Sequence, residues 1–305
     1  MPNDEDRSLI PLPDSSLANT AAGAGRKMSA MVEETLVLAR QEAAARTDRF
    51  KIGDHVWCEP DYHQILLWAE TLKIEPVTVI ERLLYDGTFF SIRVPSFPGE
   101  WHSTRFENGR IETLYWDRRL LPLREFRWVE GLQITALQFS FANETAWKVS
   151  ALPLPLPHLR LLCCLGLGLT ELDLSNVPNL TALSCEQNQL TELDLSHVPN
   201  LTGLWCSNNQ LTKLDLSHAT DLAELYCDRN RLTELDLSQV PNLTTLWCGA
   251  SQLAELDLSK VPNLTDRRCN ENKIAELDIR PLLSLEELNY DAHRTRLIQR
   301  PDQNF

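Results

Sequence analysis

At 305 residues, with 43% hydrophobic and 24% charged positions, the chain has the composition of a folded protein with room for about two domains, each with its own core. Its net charge of -14 opposes a phosphate backbone, whose general binding depends on Lys and Arg replacing counterions, so DNA and RNA are unfavoured partners. No apolar run reaches the length of a membrane-spanning helix, and no charged start followed by an apolar stretch marks a secretory leader; the expectation is a cytoplasmic protein, or one exported without such a signal.

Residues 1–27 are rich in Pro, Asp, Ser, Ala and Gly and are expected to be disordered. Residues 28–150 read as an α+β domain. Met28–Arg46 favours a helix through its Ala, Glu, Leu and Arg, a second helical stretch runs Tyr62–Leu72, and Pro76 opens a third that ends near Asp86-Gly87. The pattern then changes to strands: Phe89–Val94, followed by Trp101–Phe106 and Ile111–Trp116, the last two joined by the hairpin signal Glu107-Asn108-Gly109-Arg110. Leu132–Phe141 alternates and leads into the second half. Within this domain the stretch His55–Leu84, an extended piece and two helices around Lys73-Ile74-Glu75-Pro76, resembles a ribbon-helix-helix DNA-binding unit. Its strand lacks the polar alternation that reads base edges, so a helical hairpin capping the following domain is the favoured reading.

From about Leu159 the sequence repeats itself every 21 residues. Cys164, Cys185, Cys206, Cys227, Cys248 and Cys269 keep the register, as do Asp173, Asp194, Asp215, Asp236, Asp257 and Asp278. One unit runs Leu180, Leu183, Cys185, Asn188, then Leu190, Leu193, Leu195, Val198, or LxxLxCxxNx followed by LxxLDLSxVPN. Each half alternates near its end as a short strand with one buried face does, which predicts two extended segments per coil. This pattern resembles the leucine-rich-repeat family, in particular its bacterial 21-residue class, over about residues 159–292. The resemblance implies a leucine-rich-repeat solenoid over 151–292, β-rich, with a capping tail at 293–305. It also implies that Asn188, Asn209, Asn230 and Asn272 stack against the backbone of adjacent coils. Ser251 interrupts that column and predicts a weaker joint.

Three groups of residues invite a chemical reading. The cysteines lie along a line rather than around a tetrahedral point and fill Leu positions, so they read as free, buried thiols and not as metal ligands. An outward row, Glu171-x-Asp173, Glu192-x-Asp194, Glu234-x-Asp236, Glu255-x-Asp257 and Glu276-x-Asp278, is expected to be structural rather than calcium-binding; Lys213 interrupts it before Asp215. Cys58 lies close in sequence to His55, Asp61 and His63, a thiol with possible bases, but no catalytic motif surrounds it. No P-loop, dinucleotide fingerprint, zinc-protease or serine-hydrolase motif is present, and no cofactor or metal is expected.

Comparing coils within the chain shows where variation concentrates. The second half-unit scarcely changes, whereas outward positions of the first differ in every coil and align Trp205, Tyr226 and Trp247 with Arg268 beside them. Exposed aromatics next to an Arg have the composition of an interaction hot spot. The predicted partner surface is therefore Trp205, Tyr226, Trp247, Arg268, Ser184 and Asp228, on a non-enzymatic scaffold that binds another protein. The alternatives are an effector or enzyme, for example ubiquitin-ligase-like, with its activity in the N-terminal half, or a DNA-binding regulator acting through the ribbon-helix-helix-like segment.

Overall fold

The structure, a computed structural model, describes residues 51–52, 55–56, 58–83, 105–107, 110–116, 131–139 and 154–303. The chain divides into two units, Met1–Lys51 and Ile52–Phe305, and apart from Lys51 the described residues belong to the second. The expected tail over 1–27, the helix over 28–46 and the strand over 89–94 lie outside the described residues.

After the short extended pieces β1 (Lys51–Ile52) and β2 (His55–Val56), two helices follow. α1 (Glu59–Leu72) carries Pro60 in its first turn, where a missing amide proton costs nothing. It ends at Lys73, whose left-handed φ of 56° lets its amide and that of Ile74 turn back to the carbonyls of Glu70 and Ala69. α2 (Pro76–Leu83) begins at the expected proline. Ile65, Trp68, Val79 and Ile80 are buried in one continuous core with the rest of the unit. The expected hairpin is formed by β3 (Arg105–Glu107) and β4 (Arg110–Trp116), paired antiparallel, and β4 then pairs parallel with β5 (Ala136–Phe139).

From here the 21-residue repeat becomes a parallel ladder. β6 (Leu161–Cys163), β7 (Ala182–Ser184), β8 (Gly203–Trp205), β9 (Glu224–Tyr226), β10 (Thr245–Trp247) and β11 (Asp266–Arg268) pair in strict register. Two further strands belong to the C-terminal end, β12 (Glu276–Asp278) and β13 (Glu287–Asn289), and β13 joins the main sheet beside β11. One coil cannot shelter its own leucines, so stacking is what closes the core. Leu183, Leu204, Leu225 and Leu246 form one fully buried row, and Cys164, Cys185, Cys206, Cys227 and Cys248 form the next, every cysteine a free thiol. Burial pushes each of these thiols above its ordinary pKa, in keeping with small apolar core residues rather than nucleophiles.

The asparagine column does the polar work. Asn209 donates to the carbonyls of Cys185 and Cys206 at 2.9 and 3.0 Å and accepts the Leu190 amide at 3.0 Å, which ties two coils through one side chain. Asn188, Asn230 and Asn272 repeat the arrangement. Ser251 does not: its buried hydroxyl makes no hydrogen bond.

The second half of each coil departs from expectation. Only β12 becomes a strand there, paired with β14 (Arg296–Ile298); in the other coils Glu192–Leu195 and its counterparts join no ladder and are followed by two tight turns. Each Asp of the LDLS motif accepts the amide of the residue two positions on, as Asp194 does from Ser196 at 2.9 Å, which shapes the turn that follows; Asp278 does the same for Arg280 and still lies in β12, so what sets that coil apart is β14 beside it as a partner. At the end of the chain, Gln303 donates to the carbonyls of Ile279 and Leu282 at 3.0 and 2.9 Å, satisfying groups that the last coil would leave bare.

Candidate functional site

Alternation within each three-residue strand separates two environments. In β8, Leu204 enters the core while Gly203 and Trp205 project from the other face of the sheet. Register then stacks Ser184, Trp205, Tyr226, Trp247, Arg268 and Asn289 in one column, as the spacing of the repeat requires.

Alignment is as expected; exposure is not. Trp205 and Tyr226 are only 2% and 4% accessible, and Ser184 is fully buried. Trp205 folds back over Gly203, so closely that a β-carbon there would lie 2.3 Å from the indole ring. It stacks on Tyr226 with centroids 5.9 Å apart, and Ala182 and Leu161 close its flanks. These side chains form a second small core on the sheet face. The expectation that Trp205, Tyr226 and Ser184 are exposed is therefore corrected: the small residues Ala182 and Gly203 make room for rings to lie flat and bury one another.

The column opens toward its C-terminal end. Trp247 is half-buried, 4.7 Å from Tyr226 between ring centroids, and its indole N–H donates to Asp266 at 3.1 Å. The Arg268 guanidinium lies 3.8 Å above the centre of the Trp247 ring, in cation–π geometry, and reaches to 3.9 Å from Glu287. Beside this stack runs a groove of about 400 Å³, bordered by Asp228, Arg229, Trp247, Gly249, Arg268 and Asn270. Three of the expected partner residues, Asp228, Trp247 and Arg268, thus share an accessible surface.

Glu186 lies at the far end of that groove. Its carboxyl is pushed up from 4.5 to about 7 by burial first and by the nearby Asp228 carboxylate second, against a lowering hydrogen bond from Ser184. Asp228 also accepts a 2.6 Å hydrogen bond from Ser207. Because the folded state holds this proton more tightly than the unfolded state, the contribution of Glu186 to stability falls as pH rises from about 4.5 to about 7. A carboxyl titration by NMR should show the Glu186 midpoint near 7 and a lower one in Asp228→Asn; an unmoved midpoint would remove Asp228 as a cause.

The other sequence candidates have structural tasks. In the acidic row the aspartates face outward and hold the turns already described, which lowers the carboxyls of Asp173, Asp194, Asp215 and Asp236 through the backbone hydrogen bond. Cys58 stands at the N-cap position of α1 without a side-chain capping hydrogen bond and is half-buried, while Asp61 accepts the Ile111 amide at 2.9 Å, anchoring β4 to the helix. Among the described residues no cluster of three or more His, Cys, Asp or Glu is placed to hold a metal ion.

Attention to the variable outward columns passes over one residue. Arg267 stands in the buried leucine row, where Leu162, Leu183, Leu204, Leu225 and Leu246 precede it and Leu288 follows. It is fully buried, its three guanidinium nitrogens meet no oxygen acceptor and have only the weakly accepting Cys269 thiol beside them, and burial lowers its pKa. The signal was a single break in an otherwise apolar column.

The repeat region is a leucine-rich-repeat solenoid. A family model described as Leucine Rich repeats (2 copies) matches residues 178–218, and the same columns run through the coils on either side. Among solved structures, the chain is similar to the functional domain of InlJ from Listeria monocytogenes, described as including a cysteine ladder, with 33% identity over 51% of this chain and 43% of that one, at a TM-score of 0.39. It is also similar to a leucine-rich-repeat protein of Leptospira interrogans, with 20% identity over 53% and 46% of the two chains at 0.46. A third likeness is to YopM, a leucine-rich effector protein from Yersinia pestis, with 25% identity over 54% and 51% at 0.43. This chain spans about half the length of these structures or less. No curated protein sequence matches it. No helix among the described residues is long and apolar enough to cross a membrane.

Proposed function

We propose that this protein is a non-enzymatic scaffold that binds another protein through the accessible end of its sheet face, centred on Trp247, Arg268 and Asp228. The observation that carries this reading is the Arg268–Trp247 stack at the edge of an open groove. A large aromatic surface held by a neighbour loses little entropy on binding, and Trp and Arg are the residue types that most often dominate an interface. The groove also presents carboxylates, two guanidinium groups and amides within a short span, which supports discrimination between partners by charge and hydrogen bonding. The ribbon-helix-helix reading loses support because the two helices spend Ile65, Trp68, Val79 and Ile80 on the core. An enzyme reading based on Cys58 loses support because Asp61, the carboxylate grouped with it in the sequence, accepts the Ile111 amide.

The test is affinity capture with the full chain as bait and quantitative mass spectrometry of what is retained. Replacing Trp247 by Ala and Arg268 by Glu together should reduce recovery of the specific partner at least tenfold, corresponding to roughly 1.4 kcal/mol or more, with circular dichroism unchanged. Replacing Glu192 and Glu234 by Gln should leave recovery intact. The reverse ranking would move the site to the acidic row.

A further inference from the structure

Two flaws in the repeat fall close together, and they come from unrelated chemistry. Each intact joint between coils is tied by an asparagine that donates to carbonyls of both coils and accepts an amide from the earlier one. Between the coil of β9 and that of β10 this tie is missing, because Ser251 stands in the column and its buried hydroxyl bonds to nothing. The Leu232 amide, which corresponds to Leu211 in the coil before, has no asparagine oxygen to meet, whereas Leu211 donates to Asn230 at 3.0 Å. One coil further on, β11 places Arg267 in the leucine row, buried beside the thiols of Cys248 and Cys269, weak acceptors, with no oxygen to meet any of its guanidinium nitrogens.

Both flaws act in the same direction. In a stacked solenoid stability is close to a sum of coil terms and nearest-neighbour terms, so a weak joint divides the array rather than weakening it evenly. The missing asparagine lowers the coupling across the β9–β10 joint. The buried guanidinium penalises the folded state of the coils beyond it, and that penalty is relieved when those coils open and water reaches the charge. We infer that the coils from β10 onward, residues 243–303, open as a cooperative unit from the coils of β6–β9, with the division at the β9–β10 joint.

The division crosses the groove. Tyr226 and Asp228 stand on one side; Trp247, Arg268 and Asn270 stand on the other. Opening separates the Tyr226 and Trp247 rings, now 4.7 Å apart, and dismantles the surface that both sides build. A partner that touches both sides would therefore close the joint, and its affinity would be reduced by the fraction of molecules that are open. This consequence rests on the binding role proposed above; the opening itself does not.

Hydrogen exchange on the full chain without any partner tests the opening separately from the binding role. Amides of β10 and β11 should exchange at least tenfold faster than those of β7 and β8. Ser251→Asn restores the tie, and Arg267→Leu restores the apolar row; each should slow exchange across 243–303 at least tenfold and leave β7 and β8 unchanged. Arg267→Met, a linear apolar side chain, should reproduce the slowing if the charge rather than the shape is responsible. Equal exchange rates from β7 to β11, or Ser251→Asn and Arg267→Met both without effect, would overturn the inference. Loss of partner capture in the site variants with unchanged exchange would bear on the groove alone.

Discussion

Trp205→Ala should lower unfolding free energy by about 3–5 kcal/mol, the range for removing a buried aromatic side chain, as read from the midpoint and slope of urea denaturation. The sequence alone placed Trp205 among exposed aromatics, since it projects from the face of the sheet opposite the leucine row. Its burial to 2% accessibility, its contact with Gly203 and its stack on Tyr226 make it a core residue on a second face. Removing it would leave a cavity bounded by Ala182, Leu161 and Tyr226, and the β-sheet backbone beneath cannot collapse to fill it. Trp247→Ala should cost clearly less, because that ring is only half-buried. Equal and small losses for the two substitutions would show that the Trp205–Tyr226 cluster contributes no packing energy.

The second large effect belongs to the asparagine column. Asn209→Ala leaves the buried Leu190 amide without its acceptor and removes one of the two side-chain donors to each of the Cys185 and Cys206 carbonyls, which keep Asn188 and Asn230 respectively. The unpaired amide costs about 1–3 kcal/mol and each lost bond to a carbonyl adds about 0.5–1.5 kcal/mol, so a loss of roughly 2 kcal/mol or more is expected. Asn209→Asp should fare little better: its carboxylate can accept the Leu190 amide but cannot donate to either carbonyl, and it brings a charge into the core. A denaturation midpoint unchanged by either substitution would mean that the ladder does not hold the coils together. Ser251 is the natural control, as the position where the protein already lacks this tie.

Particular residues show how far the sequence could be read. The period of 21, the leucine and cysteine rows, the asparagine ties and the gap at Ser251 were all legible, because every coil meets the same neighbours and each column records one environment repeatedly. The hairpin between β3 and β4 and the start of α2 at Pro76 were legible for a different reason: an Asn-Gly pair in a sequence favours a tight turn because both residues tolerate positive φ, and proline fixes φ at a value suited to a helix start, whatever surrounds them. The second extended segment was misread, since LxxLDLS has the alternation of a strand. A strand needs a neighbour to pair with as well as alternation: Glu276–Asp278 becomes one because β14 lies beside it, and a hydrophobic pattern does not record that partner.

The candidate site divides along the same line. By itself the sequence determined that Trp205, Tyr226, Trp247 and Arg268 stand in one column, because register follows from the repeat length. Only the tertiary structure decided which of them a partner could touch. Accessibility depends on whether neighbouring coils present small residues or large ones: Gly203 and Ala182 let Trp205 lie flat and disappear, while Trp247 lies beside a groove whose border includes Gly249 and stays within reach with Arg268 across its ring. Arg267 carries the same lesson in reverse. Its position in the leucine row was written in the sequence, but that its guanidinium meets no oxygen is a fact of packing, set by cysteines on either side that offer only weak acceptors.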